Sequence, residues 1–325
     1  MKIAIVIDKP RAEYLPSEEG KQEDGQSIRT MKHFKEALSD DYQVIDLVMD
    51  DNIIDKLKSE NVDLVFNLCN GVKGESSLSH LPSMLEFAGI PYTGSTPLGH
   101  GLAYNKIISG KLFKASKIKT PSFIKVSDTE KVDKLELNFP VLLKPKDEGS
   151  SRGIHDDSLI FDKDTLKTKL EEELQIYNPP MMVMEYIEGR EFTVAVIGDR
   201  DDLQLLPILE VDLSGLPEEM NRIYSFEAKL EYADNVKYIV PAKLDKKSKE
   251  KIETTAKNAF KCLGLRDYAR VDIRLKDGDP YVIEVNSLPG LDKNHSDICK
   301  MAESIDLEYD DLIKKIVKHA IDRIQ

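Results

Sequence analysis

The chain of 325 residues is 41% apolar and 32% charged, which describes a globular protein of two or three domains and excludes a disordered one. A formal net charge of −13 argues against nucleic acid or a membrane as partner, so an anionic ligand needs a locally built basic site. The three cysteines, Cys69, Cys262 and Cys299, lie far apart with no CxxC pair, which speaks against zinc or a disulfide framework and for a reduced, cytoplasmic setting.

Ile3 to Ile7 is a continuous apolar run, as in a strand covered on both faces, and is too short for a signal peptide. The polar stretch Arg11 to Gln26 reads as a loop. Ser27 can cap a helix carrying Ile28, Met31, Phe34 and Leu38 at helical spacing. Strand Gln43–Val48, helix Ile53–Leu57 and strand Val62–Leu68 follow, and this alternation implies a doubly wound parallel sheet. Helix Leu78–Ala88 and the turn Gly89 to Gly94 close a first α/β domain, 1–101.

Helix Asn105–Lys117, strands Pro121–Val126 and Phe139–Lys144, helix Asp164–Leu174 and strand Met181–Tyr186 give an α+β middle domain, 102–185. The last domain, 186–325, starts with strand Glu191–Gly198. It holds an amphipathic helix, Asp245–Leu263, a hairpin, Ala269–Asn286, and a final helix, Tyr309–Ile324. No apolar run approaches the roughly 18 residues of a membrane span.

The hairpin is the most informative segment. Asp277-Gly278 between two β-rich runs is a strong turn signal. Side chains alternate faces along a strand, so Arg270 and Asp272 oppose Val271, Ile273 and Leu275, while Glu284 and Asn286 oppose Ile283 and Val285. A register centred on Gly278 sets Asp272 opposite Glu284 and Arg270 opposite Asn286. Two carboxylates, an amide oxygen and a guanidinium would then cluster, a hard-oxygen set that suits magnesium. Taken alone, the same pattern also fits the solvated face of an amphipathic strand.

Lys144 ends a strand, and the loop Lys146 to Gly153, with Gly149, Ser150 and Ser151, follows it. Small residues let backbone N–H groups approach phosphate, and a lysine supplies a point charge. The loop has neither Walker A nor Rossmann spacing. Singly, Lys106, Lys229, Glu185 and Glu191 read as ordinary surface residues.

In order along the chain, Gly89-Ile90-Pro91-Tyr92-Thr93-Gly94-Ser95, Lys144-Pro145 through Gly149-Ser150-Ser151 and Gly153, Glu188-Gly189-Arg190-Glu191, Phe226-Glu227-Ala228-Lys229, and Arg270-Val271-Asp272 to Glu284-Val285-Asn286 with Pro289-Gly290 resemble the D-alanine–D-alanine ligases of the ATP-grasp superfamily. The resemblance spans nearly the whole chain. It implies a three-domain α/β ATP-grasp fold and a carboxylate–amine ligase that activates a carboxylate as an acyl phosphate. Lys106, Lys144, Ser151 and Lys229 would meet the phosphates, Met182, Met184 and Glu185 the adenine, and Glu191 the ribose. Asp272, Glu284 and Asn286 would hold two magnesium ions, with manganese able to substitute. Arg270 and the Gly290 N–H would form the oxyanion site, and Ser150 would be a further catalytic residue. Glu227 to Tyr238 matches a mobile lid. The family further implies small-molecule substrates and a homodimer.

The departures fall where the family binds its substrates. The family's glycine-rich first-domain signature is absent, and its glutamate there aligns near Gly25. Asn70-Gly71 replaces His-Gly, Glu75 persists, and Ser76-Ser77 replaces Asp-Gly. Leu230 stands at the lid tyrosine, and Leu291-Asp292-Lys293-Asn294-His295-Ser296 replaces the run after Pro-Gly. Asn70, Glu75, His295 and Ser296 are the expected substrate residues. Three readings stay open: D-alanine–D-alanine ligation, the same chemistry on other amino acids, hydroxy acids or amines, and a non-catalytic ATP-binding protein.

Overall fold

The structure is a computed structural model and describes residues 1–10, 18–71, 74–130, 132–149 and 151–324, without the side chains of 18–24 and 134. The first part comprises β1 (Lys2–Ile7), α1 (Glu18–Leu38), β2 (Gln43–Val48), α2 (Ile53–Ser59), β3 (Leu64–Asn67), α3 (His80–Ala88) and α4 (Pro97–Tyr104). Its three strands lie parallel in the order β2-β1-β3. The apolar run of β1 divides between two cores: Ile3 and Ile5 pack on one face, Ala4 and Val6 on the other.

Two expectations need correction here. The stretch read as a loop up to Gln26 is helical from Glu18, and Ser27 lies inside α1 rather than capping it. Glu, Lys and Gln are good helix formers even without an apolar stripe; residues 11–17 lie outside the described residues. The second is α4, which the sequence reading left out. Thr96 caps it, its Oγ1 accepting from Gly99 N at 3.1 Å, and Pro97 fills the first turn. Gly99 and Gly101 had hidden these signals.

The middle part comprises α5 (Lys106–Ala115), β4 (Phe123–Val126), β5 (Val141–Pro145), β6 (Leu159–Ile160), α6 (Lys163–Ile176) and β7 (Met181–Glu185), with an antiparallel sheet β4-β7-β5-β6. The last part comprises β8 (Arg190–Asp199), β9 (Asp202–Leu205), β10 (Leu209–Asp212), α7 (Phe226–Leu230), β11 (Lys237–Ile239), α8 (Lys246–Cys262), β12 (Asp267–Lys276), β13 (Asp279–Asn286), α9 (Asp297–Glu303) and α10 (Tyr309–Asp322). Its sheet runs β11-β10-β8-β12-β13, with β9 on β8.

The cores are shared unequally. Ile3, Phe34 and Phe66 of the first part join Ile197, Leu209, Ile313 and Ile316 of the last in one cluster. Val126, Val141, Leu143, Leu166 and Val183 form a cluster confined to the middle part. Among the described residues no helix is long and apolar enough to cross a membrane.

Candidate active site

A cleft of about 1150 Å³ is lined by residues of all three parts, from Asp8 and Asn70 through Lys144 and Met184 to Arg270 and Glu284. Its floor is the β12–β13 hairpin. Lys276 pairs with Asp279, and the two turn residues Asp277 and Gly278 have φ of 52° and 74°, which is the geometry that favours Asp-Gly. This turn is tighter than the one assumed above. Continued regularly, it would set Asp272 opposite Ile283 and turn Glu284 toward the core. A bulge between Asp272 and Ile273 adds one residue on β13 and restores the register, so that Asp272 faces Glu284 and Arg270 faces Asn286. Ala269, Val271 and Ile273 pack into the core below.

The cluster is closely bonded. Arg270 donates from Nε and Nη2 to the two oxygens of Asp272, both at 2.9 Å, and from Nη1 to Asp297 at 3.3 Å. Thr193, across on β8, donates to Asp272 at 2.7 Å, and Asn286 Nδ2 donates to it at 2.9 Å. Burial disfavours the Arg270 charge, but Asp272 and Asp297 outweigh it and fix the guanidinium as a cation. Glu284 lies 3.7 Å from Lys106 Nζ and 3.8 Å from Lys144 Nζ. Burial opposes its charge too, and the two lysines with Arg270 overcome that and hold the carboxyl below its usual range. Lys144 is only 1% exposed; burial, eased by Glu284 and reinforced by Lys106, lowers its pKa to about 8.

Among the described residues no group of three His, Cys, Asp or Glu is gathered as for a metal. Asp272 and Glu284 provide two carboxylates and Asn286 an amide oxygen. That donor set fits magnesium, which keeps water and phosphate ligands, and does not fit an all-protein cage.

Lys106 begins α5 and donates through Nζ to the Glu148 carbonyl. In the loop after β5, Ser151 has φ 63° and donates to the Tyr224 carbonyl at 3.2 Å. Gly153 has φ 68°, and a Cβ there would stand 2.5 Å from Pro145, so only glycine fits. Ser150 lies outside the described residues. Lys229 lines the cleft from α7, a short helix capped by Ser225. The segment read as a mobile lid is joined to the middle part: Phe226 N donates to Ile154 O at 2.8 Å, and Glu227 accepts from Asp156 N at 3.1 Å and meets His155 Nδ1 at 2.7 Å.

At the opposite end, Met182 and Met184 are buried in β7, Glu185 accepts from Ser122 N, and Glu191 is held by Arg274. On the substrate side, Gly290 borders the cleft. A Cβ there would lie 3.1 Å from Ser296 Oγ, which is buried with no partner among the described residues. His295 is exposed at the cleft edge, and Asn70 N donates to Asp8 at 2.7 Å. Glu75 does not join this group. Its side chain is 70% exposed, paired with Lys146 at 3.3 Å, and off the cleft lining.

The sequence reading missed Thr193, Arg274, Asp297 and Asp8. Arg274 had a signal, since alternation from Arg270 and Asp272 puts it next on the same face. Asp297 and Asp8 had none, because only the tertiary fold brings them near.

The D-ala D-ala ligase C-terminus family matches residues 112–318. The D-alanine–D-alanine ligase of Fervidobacterium nodosum is 34% identical over 90% of this chain and 94% of its own length. That of Carboxydothermus hydrogenoformans is 33% identical over 87% and 89%. Among solved structures, D-alanine–D-alanine ligase from Bacillus anthracis is similar with a TM-score of 0.78 at 26% identity, covering 99% of this chain and 98% of the other. VanG D-Ala:D-Ser ligase from Enterococcus faecalis shares the fold, with a TM-score of 0.75 at 22% identity over 98% and 99%. Full-length agreement in sequence and fold with one kind of enzyme means that this chain, an ATP-grasp ligase, belongs to the D-alanine–D-alanine ligase family.

Proposed function

We propose that the protein is an ADP-forming ligase that joins two amino acids into a dipeptide through an acyl phosphate, with D-alanine as the first substrate to test. The observation that carries the reading is the bulged hairpin, which sets Asp272 opposite Glu284 beside Lys106 and Lys144. A carboxylate attacking the γ-phosphate brings two anions together. Lys106, Lys144 and Lys229 offset that repulsion, with Ser151 among the residues that meet the phosphates and Ser150 proposed as a catalytic residue. Asp272, Glu284 and Asn286 would hold two magnesium ions, or manganese in their stead, which supply further charge neutralisation at the phosphates. Met182, Met184 and Glu185 border the adenine and Glu191 the ribose. When the amine attacks the acyl phosphate, charge develops on the carbonyl oxygen. Arg270 and the Gly290 N–H are the donors for it. Closure of the Glu227 to Tyr238 segment keeps water from the acyl phosphate.

Asn70, His295 and Ser296 border the substrates. We assign one sheet to each of three domains, 1–101, 102–185 and 186–325, and propose a cytoplasmic homodimer. A second reading keeps the chemistry and changes the substrates. It is supported by Glu75 standing off the cleft and by the exposure of His295. ADP release, measured with D- and L-amino acids singly and in pairs, separates the two. Turnover with D-alanine alone, giving a dipeptide by mass, supports the first. Turnover only with another pair supports the second, and ATP binding without turnover under any pair overturns both.

A further inference from the structure

Arg274 is buried, charged and outside the chemistry proposed above, yet it bonds to three separate segments of the cleft. On β12 it pairs across the sheet with Glu191 of β8. Its Nε and Nη2 both donate to one oxygen of Glu191, Oε2, at 3.1 and 2.7 Å. Nη1 donates to the Ile187 carbonyl at 3.0 Å, in the connection from β7 to β8, and Nη2 also donates to the Arg222 carbonyl at 2.8 Å. The guanidinium lies 4.7 Å from the centre of the Tyr186 ring, and the Tyr186 hydroxyl donates to the same Arg222 carbonyl at 2.8 Å.

We infer that Arg274 is a positioning residue that sets nucleotide selectivity, by aiming the other oxygen of Glu191, Oε1, at a ribose diol and by fixing the Tyr186–Ile187 backbone beside the base. This rests on the reading of the cleft as the ATP site. With two donors on Oε2, the carboxylate cannot rotate without breaking both bonds, so Oε1 presents one fixed acceptor to the cleft. A lysine in the same place has a single ammonium and cannot span three acceptors in one plane. Arg274 itself needs no contact with the nucleotide. Its effect passes through a carboxylate, a carbonyl and an aromatic ring that line or border the site, so ordering them beforehand lowers the entropic cost of binding.

Steady-state KM and kcat with ATP and with 2′-deoxy-ATP, and calorimetric titration with ADP, test this on the whole chain, comparing the native protein with R274K, R274M and E191Q. R274M should raise KM for ATP about tenfold while kcat falls less than about threefold and KM for the amino acid stays put. The preference for ATP over 2′-deoxy-ATP should shrink in R274M and in E191Q alike, and R274K should fall between. The combined R274M and E191Q variant should lose less than the product of the two single losses. An unchanged preference in R274M and R274K overturns the inference. So does a general loss in which both KM values, kcat and the thermal midpoint all worsen, since that marks a packing role. If the native protein binds no ADP, the nucleotide reading of the cleft falls, and the inference with it.

Discussion

The two ends of the cleft are built differently. At the nucleotide end the charged side chains are matched, Arg270 with Asp272 and Asp297, Glu284 with Lys106 and Lys144, and, farther along at the ribose, Glu191 with Arg274. At the substrate end Ser296 Oγ is buried without a partner among the described residues, His295 is exposed, and Glu75 faces away to Lys146. Preorganised charge is what phosphoryl transfer requires, because the geometry of the reacting oxygens is fixed by the reaction. A substrate pocket is fixed only by its substrate, and it can be rewritten without touching that chemistry.

Breaking the ordered end should have the largest effect. Glu284→Gln removes the charge that faces both lysines. It should cut kcat by about 10³-fold while circular dichroism and the thermal midpoint stay near native. Turnover within tenfold of native would mean that Glu284 holds no metal. Arg270→Ala should lower kcat by about 10²-fold and move KM for ATP far less, as expected of a donor used in the transition state. It also strips Asp272 of its cation and leaves Asp297 with Lys300 alone, so a lower thermal midpoint is expected alongside. A normal kcat would remove Arg270 from the oxyanion site.

The boundary between the ends offers a pH test. Buried His100 meets Ser287 Oγ at 2.8 Å, just after Asn286 and before Gly290. Burial, then Arg266, lowers its pKa from 6.5 to about 3. An unfolded chain would therefore take up a proton near pH 6.5 that the folded one refuses until about pH 3. The His100 contribution to stability is full above 6.5 and declines as the pH falls, by about 2 kcal/mol at pH 5. Urea melts between pH 5 and 8 should show this slope, and His100→Asn should flatten it. An equal slope in both proteins would mean that His100 is not what makes the fold acid-sensitive. The smallest effect belongs to Glu75→Gln, which should leave kcat and both KM values within about twofold. A tenfold rise in an amino-acid KM would show that Glu75 reaches the substrate after all.

Much of this was legible in the sequence, for reasons that differ by element. The alternation of Arg270 to Leu275 and the Asp-Gly turn are local signals. They set Asp272 opposite Glu284 only by way of a turn one residue too wide, an error that the invisible bulge cancels. Residues 18–26 were misread because a helix of charged residues carries propensity but no stripe. Asp297 reaches Arg270, and Thr193 reaches Asp272, across distances in sequence that no local pattern encodes. His100 gave no warning, since a single histidine between glycines says nothing about burial.

The uneven division of the apolar core has a mechanical consequence. Because the first and last sheets share one cluster, through Phe66, Ile197 and Ile313, they form a single block. The middle sheet has a cluster of its own around Leu143, Leu166 and Val183 and meets the last part through a smaller one, where Leu142 and Met184 pack with Ile223 and Ile283, so a swing works on that seam and leaves the block packed. Lys144 and Met184 ride on the swinging piece, and Arg270 and Glu284 stay with the anvil. Jaw opening is therefore read directly from the gap between the Lys144 ammonium and the Glu284 carboxylate, 3.8 Å in the pose described.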